Sequence, residues 1–121
     1  MSSLYQDFIL DHYRNPRNYG SLKQATHQGK AHNPTCGDQL EMDIQVRNDT
    51  IEEVRFRGSG CAISQAGASL LSEVIKGKNF SEALSFEPKE MLELIKVPLS
   101  PNRLKCALLS LETLKKTLTH K

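Results

Sequence analysis

Three cysteines and one aspartate carry the chemistry that this 121-residue chain could do: Cys36, Asp38, Cys61 and Cys106. A thiolate is both a nucleophile and a soft metal ligand, whereas a carboxylate oxygen is harder and is displaced most easily from zinc or iron. Three sulfurs and one oxygen suit tetrahedral Zn²⁺ or a small iron–sulfur cluster, and the oxygen points to a site that loads and unloads. The plainer readings are a packing role for each thiol and a turn role for Asp38 behind Gly37. Spacing adds little support, since 24 residues separate Cys36 from Cys61 and 44 separate Cys61 from Cys106, unlike a zinc finger or a ferredoxin. His32, four residues before Cys36, resembles half of a cysteine-hydrolase pair, but no orienting third group or oxyanion hole accompanies it.

The whole chain narrows these choices. An odd number of cysteines, far apart, excludes a disulfide framework. The amino end "MSSLYQDFILDHY" places Asp7 and Asp11 inside its only apolar stretch, so no secretory signal is expected. Reduced thiols in the cytoplasm follow. Sixteen Lys and Arg against fourteen Asp and Glu leave a formal charge of +2, which gives no electrostatic case for nucleic acid. No segment approaches membrane-spanning length. The length and an apolar content of 38% suit a single domain, residues 1–121, with its own core.

Several elements must position the four residues. Leu4, Tyr5, Phe8, Ile9 and Tyr13 recur at helical spacing behind Ser2 and Ser3, which predicts a helix over residues 3–13, ended by "RNPRNYG". Residues 21–35 read as loop with room for one edge strand. From residue 40, Leu40, Met42, Ile44 and Val46 alternate with polar residues, Asn48 and Asp49 supply a tight turn, and "TIEEVRFRG" returns as the second arm of a hairpin. A plain two-residue turn would set Ile44 against Glu53. One extra residue near Glu52 and Glu53, a β-bulge, instead pairs Ile44 with Val54, Met42 with Phe56 and Leu40 with Gly58. That register brings Asp38 beside Gly60, and therefore beside Cys61 in "GSGCAIS".

Residues 61–76 carry Ile63, Ala66, Leu70, Val74 and Ile75 on one helical face, and Gly77 ends the helix. A short helix follows Pro88. Ser100 as N-cap and Pro101 at the first helical position start a last helix, in which Leu104, Ala107, Leu108, Leu111, Leu114 and Leu118 face inward and "LETLKK" is solvated. Cys36 and Asp38 share the strand face of Leu40, Met42 and Ile44. Helices must cover that face. The helices holding Cys61 and Cys106 place each thiol near an amino-terminal turn, where unpaired N–H groups favour a thiolate. Arg103 and Lys105 flank Cys106, where their charge would offset three thiolates and a carboxylate.

The motifs "LYQDFILDHYRNPRNYGSL", "NPTCGD", "RGSGCAIS" and "RLKCALL" together resemble the U-type iron–sulfur cluster assembly scaffolds, comprising IscU, SufU and the amino-terminal domain of NifU. The resemblance runs nearly end to end. It implies an α+β, SufE/NifU-like fold: a three-stranded antiparallel sheet with helices packed on one face. It also implies that Cys36, Cys61 and Cys106 are the ligands and candidate persulfide acceptors, with Asp38 modulating release. The implied activity is a scaffold that takes sulfur from a cysteine desulfurase, assembles a [2Fe–2S] cluster from sulfur and iron, and passes it to apoproteins. The alternative is a zinc-dependent sulfurtransferase with Zn²⁺ on the same ligands. Two features separate the chain from IscU: Lys105 replaces a histidine before the third cysteine, in a SufU-like Arg-x-Lys-Cys setting, and "VPLSP" keeps only part of the segment that IscU presents to an Hsp70 chaperone. The compact interval between Cys61 and Cys106 in turn lacks the SufU insertion.

Overall fold

A computed structural model describes residues 3–34, 37–96 and 98–119. The chain runs α1 (Ser3–Arg14), β1 (His27–Asn33), β2 (Asp38–Arg47), β3 (Thr50–Ser59), α2 (Ala62–Ile75), α3 (Phe80–Leu84), α4 (Pro88–Ile95) and α5 (Pro101–Thr119). The strands form one antiparallel sheet in the order β1-β2-β3, so the expected edge strand is β1 and the alternating segment takes the centre. Helices α2 and α5 pack on the sheet, and α1 packs on α2.

The hairpin register is the expected one. Asn48 and Asp49 take φ of 52° and 64°, the left-handed pair that a tight hairpin turn requires. Val46 pairs with Ile51 and Gln45 with Glu53, which leaves Glu52 as the bulged residue. Beyond it Ile44 meets Val54, Met42 meets Phe56 and Leu40 meets Gly58. The bulge keeps Ile44, Val54, Met42 and Phe56 together in the core, all at most 1% exposed.

Four expectations are corrected. Helix α2 is buried nearly all round, not on one face, because its small polar residues meet α1 and the turn after it. Ser69 Oγ accepts the Arg17 N–H at 2.9 Å and lies 2.8 Å from His12 Nδ1, and Ser72 Oγ accepts from Asn18 Nδ2 at 3.0 Å. Val74, on the face expected to be inward, is only half-buried. Tyr13 and Leu104 lie on outer surfaces, Tyr13 in the last turn of α1 and Leu104 in the first turn of α5; they are 43% and 37% exposed. "LETLKK" is only partly solvated: Leu111, Thr113 and Leu114 are buried, and Lys115 Nζ donates to the Leu84 carbonyl at 2.6 Å.

Helix α3 was not expected, although "NFSE" carries its signal. The Glu82 amide donates to Asn79 Oδ1 at 2.8 Å and the Asn79 amide to Glu82 Oε1 at 3.2 Å, a complete capping box. The last helix starts at Pro101, and the Leu104 N–H donates to the Ser100 carbonyl at 3.1 Å, which puts Ser100 at the cap position.

Candidate metal and sulfur-exchange centre

The first residue of β2 is Asp38, which shares the face of Leu40, Met42 and Ile44 and is 1% exposed. Its carboxylate reaches the start of α2. The Cys61 amide donates to Asp38 Oδ1 at 3.0 Å, and the Cys61 thiol lies 3.6 Å from Oδ2. Cys61 is the N-cap residue with extended backbone (φ −74°, ψ 166°), and Ser64, at the third helical position, donates its hydroxyl to the Cys61 carbonyl at 3.0 Å. Ser64 is a supporting residue that the sequence reading passed over. Its signal was the three-residue spacing after a helix-capping position in "CAIS".

Gly60 allows this approach. Its φ is 146°, and a Cβ there would stand 2.3 Å from Asp38 Oδ1. The register inferred from hydrophobic pattern thus ends where the chemistry begins.

Cys106 arrives from α5 and is 2% exposed. It sits one turn inside the helix, not at its amino-terminal N–H groups, and its sulfur lies 3.9 Å from the Asn102 carbonyl. The expected help from unpaired amides therefore does not reach Cys106. At Cys61, likewise, the amide is aimed at the carboxylate and not at the sulfur.

Ligand atoms of Asp38, Cys61 and Cys106 all lie within 4.8 Å of one another. A tetrahedral Zn²⁺ with bonds of about 2.3 Å to sulfur has ligand–ligand edges of about 3.8 Å, so these three positions fit one ion after small side-chain adjustments. Cys36 lies outside the described residues. Arg103 and Lys105 are exposed on the first turns of α5, and neither makes an ion pair among the described residues. His32 is also exposed, and pairs across the sheet with Gln39.

A three-stranded antiparallel sheet roofed by helices thus gathers a carboxylate and two thiols where β2 meets α2 and α5. The chain belongs to the NifU-like N-terminal domain family, whose model matches residues 4–120. Among relatives, the iron–sulfur cluster assembly scaffold protein IscU of Aquifex aeolicus is 42% identical over 94% of this chain and 73% of its own. The zinc-dependent sulfurtransferase SufU of Bacillus subtilis is 36% identical over 96% of this chain and 90% of its own. That second alignment extends over 133 positions, so the Bacillus protein carries residues with no counterpart in these 121. A crystal structure described as a putative SUF-system scaffold from Fervidobacterium islandicum superposes with a TM-score of 0.83 at 29% identity, covering 98% of this chain and 99% of the other. Among the described residues, no helix is long and apolar enough to cross a membrane.

Proposed function

We propose that the chain, acting as one domain over residues 1–121, is an iron–sulfur cluster assembly scaffold. It accepts sulfur from a cysteine desulfurase, builds a [2Fe–2S] cluster on Cys36, Asp38, Cys61 and Cys106, and passes it to apoproteins. The convergence of Asp38, Cys61 and Cys106 carries this reading. Chain geometry supports Cys36 as the fourth ligand, because two residues of backbone keep its Cα within about 7 Å of that of Asp38.

Sulfur arrives by exchange. A thiolate attacks the outer sulfur of the desulfurase persulfide, a new S–S bond forms, and the desulfurase cysteine leaves as a thiolate. Each bound sulfur then takes two electrons to become sulfide and frees its thiolate: for the two sulfides of a [2Fe–2S] cluster, two ferrous ions give two electrons and become ferric, and a dithiol gives the other two and becomes a disulfide. Asp38 serves as the exchangeable ligand: its oxygen is the hardest of the four donors, and its bond to the Cys61 amide offers the carboxylate a place to return when the metal leaves. Arg103 and Lys105 offset the negative charge of three thiolates and a carboxylate. Because "VPLSP" retains only part of the IscU segment, hand-over proceeds without a dedicated Hsp70 chaperone. The test is anaerobic reconstitution with a desulfurase, cysteine, ferrous iron and dithiothreitol as the dithiol reductant. Wild type is expected to develop a [2Fe–2S] absorption and circular dichroism spectrum that Cys36→Ser lacks. No spectrum from wild type, or an unchanged one from the variant, would overturn the proposal.

A specific observation also favours a second reading. Ligand atoms within 4.8 Å match the edges of a single tetrahedral ion better than the longer span of a binuclear cluster. Zinc bound by the same residues would fit a sulfurtransferase in which an arriving persulfide displaces one cysteine. Desulfurase turnover stimulated only by the zinc-loaded protein, with no cluster formed, would select this reading.

A further inference from the structure

Strand β3 is an edge of the sheet, and most of its outer side is already occupied. At one end Ile51 donates to the Lys78 carbonyl at 2.8 Å and accepts from the Gly77 amide at 2.8 Å. In the middle Phe56 donates to the Asn18 carbonyl at 3.0 Å and accepts from the Gly20 amide at 2.9 Å. Alternation then turns the N–H and C=O of Gly58 outward as well, two residues further on. Nothing in the chain covers them among the described residues, and Gly58 and Ser59 are exposed. An unpaired edge of this kind is a template for another strand.

The surroundings of that edge suit an extended peptide. A cleft of about 410 Å³ runs beside Gly58, Ser59 and Gly60 and is walled by Tyr13, Pro16 and Tyr19. The two tyrosines are 43% and 52% exposed, the most exposed large apolar side chains among the described residues. Gln65 also lines the cleft. It is only 8% exposed, and its buried amide nitrogen has no hydrogen-bond partner among the described residues, so a small side-chain rotation would bring an unsatisfied donor to a bound carbonyl. No lining residue is charged, which selects an uncharged main chain over an acidic or basic motif.

We infer that this cleft docks an extended, cysteine-bearing segment of the recipient apoprotein, added as a strand at Gly58 so that its thiol reaches Cys61. The inference rests on the scaffold reading above. Gly60 forms part of the cleft wall and its backbone lies directly against the Asp38 carboxylate, so the cleft borders the exchange site. At about 3.3 Å per residue, a cysteine some three residues beyond the one opposite Gly58 arrives at Cys61. Main-chain pairing and an aromatic wall hold a segment whatever most of its side chains are. That tolerance suits recipients of differing sequence better than a single dedicated sulfur donor. Transfer is then ligand exchange: the incoming thiol gives up its proton and its thiolate binds iron. Cys61 leaves iron as a thiolate and takes up a proton, with no change in the oxidation state of the cluster.

The test uses the cluster-loaded protein with an apo-ferredoxin of the [2Fe–2S] type, and dithiothreitol as a small-thiol control. Tyr19→Ser and Gln65→Leu are expected to slow transfer to apo-ferredoxin by at least about fivefold, while cluster assembly and extraction by dithiothreitol stay within about twofold of wild type. Gln65→Leu separates docking from folding, since exchanging an unpartnered buried amide for an apolar side chain of similar size should raise the unfolding midpoint or leave it alone. Unchanged transfer in both variants would overturn the inference. Failure of wild type to load any cluster would instead defeat the scaffold reading. Docking is then judged by the Gly58 amide resonance of the metal-free protein, which should shift with apo-ferredoxin in wild type and not in Tyr19→Ser; no shift in wild type overturns it.

Discussion

Strand β2 buries two aspartates five residues apart, each 1% exposed, on opposite faces of the sheet. Asp43 is saturated: Arg57 donates to it at 3.1 and 3.4 Å, the Leu22 amide at 3.0 Å and Gln28 Nε2 at 3.3 Å. Asp38 has the Cys61 amide at 3.0 Å and a thiol at 3.6 Å, and no cationic side chain contacts it among the described residues. A buried carboxylate needs a positive partner. Where the fold supplies an arginine, the carboxylate ties the loop at Leu22 to the sheet. Where the fold supplies two thiols, the proposed function gives it a metal ion as its positive partner.

The sharpest break between these regions lies on the metal side. Cys106→Ser should weaken zinc binding by more than about a hundredfold, read by competition with a chromogenic chelator, while moving unfolding stability by no more than about 1 kcal/mol. A large loss of stability with metal affinity intact would make Cys106 a core residue and dissolve the contrast. Arg57→Met should do the opposite. It leaves Asp43 buried without its cation and is expected to cost about 3 kcal/mol in urea unfolding, with metal affinity unchanged under folding conditions. Arg57 is partly exposed, so water can lessen the cost, and a loss under about 1 kcal/mol would show Asp43 to be as adaptable as Asp38.

Asp38→Ala removes one cap of the Cys61 amide, worth about 1 kcal/mol, but also the most displaceable ligand. A [2Fe–2S] cluster should persist about threefold longer or more in air, followed by visible absorbance, since every remaining ligand is sulfur. Shorter persistence would show that the carboxylate holds the cluster in place.

The smallest effect belongs to a third buried titratable group. His12 lies between α1 and α2. Burial pushes its imidazole pKa below the ordinary 6.5, with Arg17 lowering it further against the raising influence of Glu73 and Asp11. Ser69 Oγ, which accepts the Arg17 amide, lies 2.8 Å from His12 Nδ1 and gives the ring a partner inside the fold. Above pH 6.5 the ring is neutral in both states and costs nothing. As pH falls below 6.5 the unfolded chain takes up a proton that the folded one refuses, and stability declines until the folded pKa is reached. Between pH 7.5 and 5.5 wild type should lose up to about 1 kcal/mol that His12→Gln does not lose, measured by urea midpoints at each pH. Equal slopes would remove His12 from the acid response.

Much of the fold was legible because its signals are local. The alternation of Leu40, Met42, Ile44 and Val46, the Asn48–Asp49 turn and the mismatch at Glu53 together required one bulge, and Glu52 is that residue. The same register put Asp38 beside Cys61, so half of the candidate site was readable from strand pairing. Cys106 was a candidate from its residue type and from the need for helices to cover the strand face, but no local pattern fixes how α5 lies over the sheet, so its meeting with Cys61 and Asp38 was not readable. The buried serines of α2 were illegible for a related reason: Ser69 and Ser72 lie off the apolar face that the sequence defines, and only α1 and the turn after it supply their partners.

What the sequence by itself determined is everything set by period and chain proximity: the helices at α1, α2, α4 and α5, the bulged hairpin, the approach of Cys61 to Asp38, and membership of the NifU-like N-terminal domain family. Tertiary structure decided which buried polar groups are satisfied. Two aspartates of one strand look alike in sequence, and only the packing of a loop on one face and two helices on the other gives Asp43 an arginine and Asp38 two thiols. That difference comes from long-range placement, since a carboxylate's partner is selected by what the rest of the chain brings within about 4 Å, and neither hydrophobic period nor turn chemistry encodes that distance.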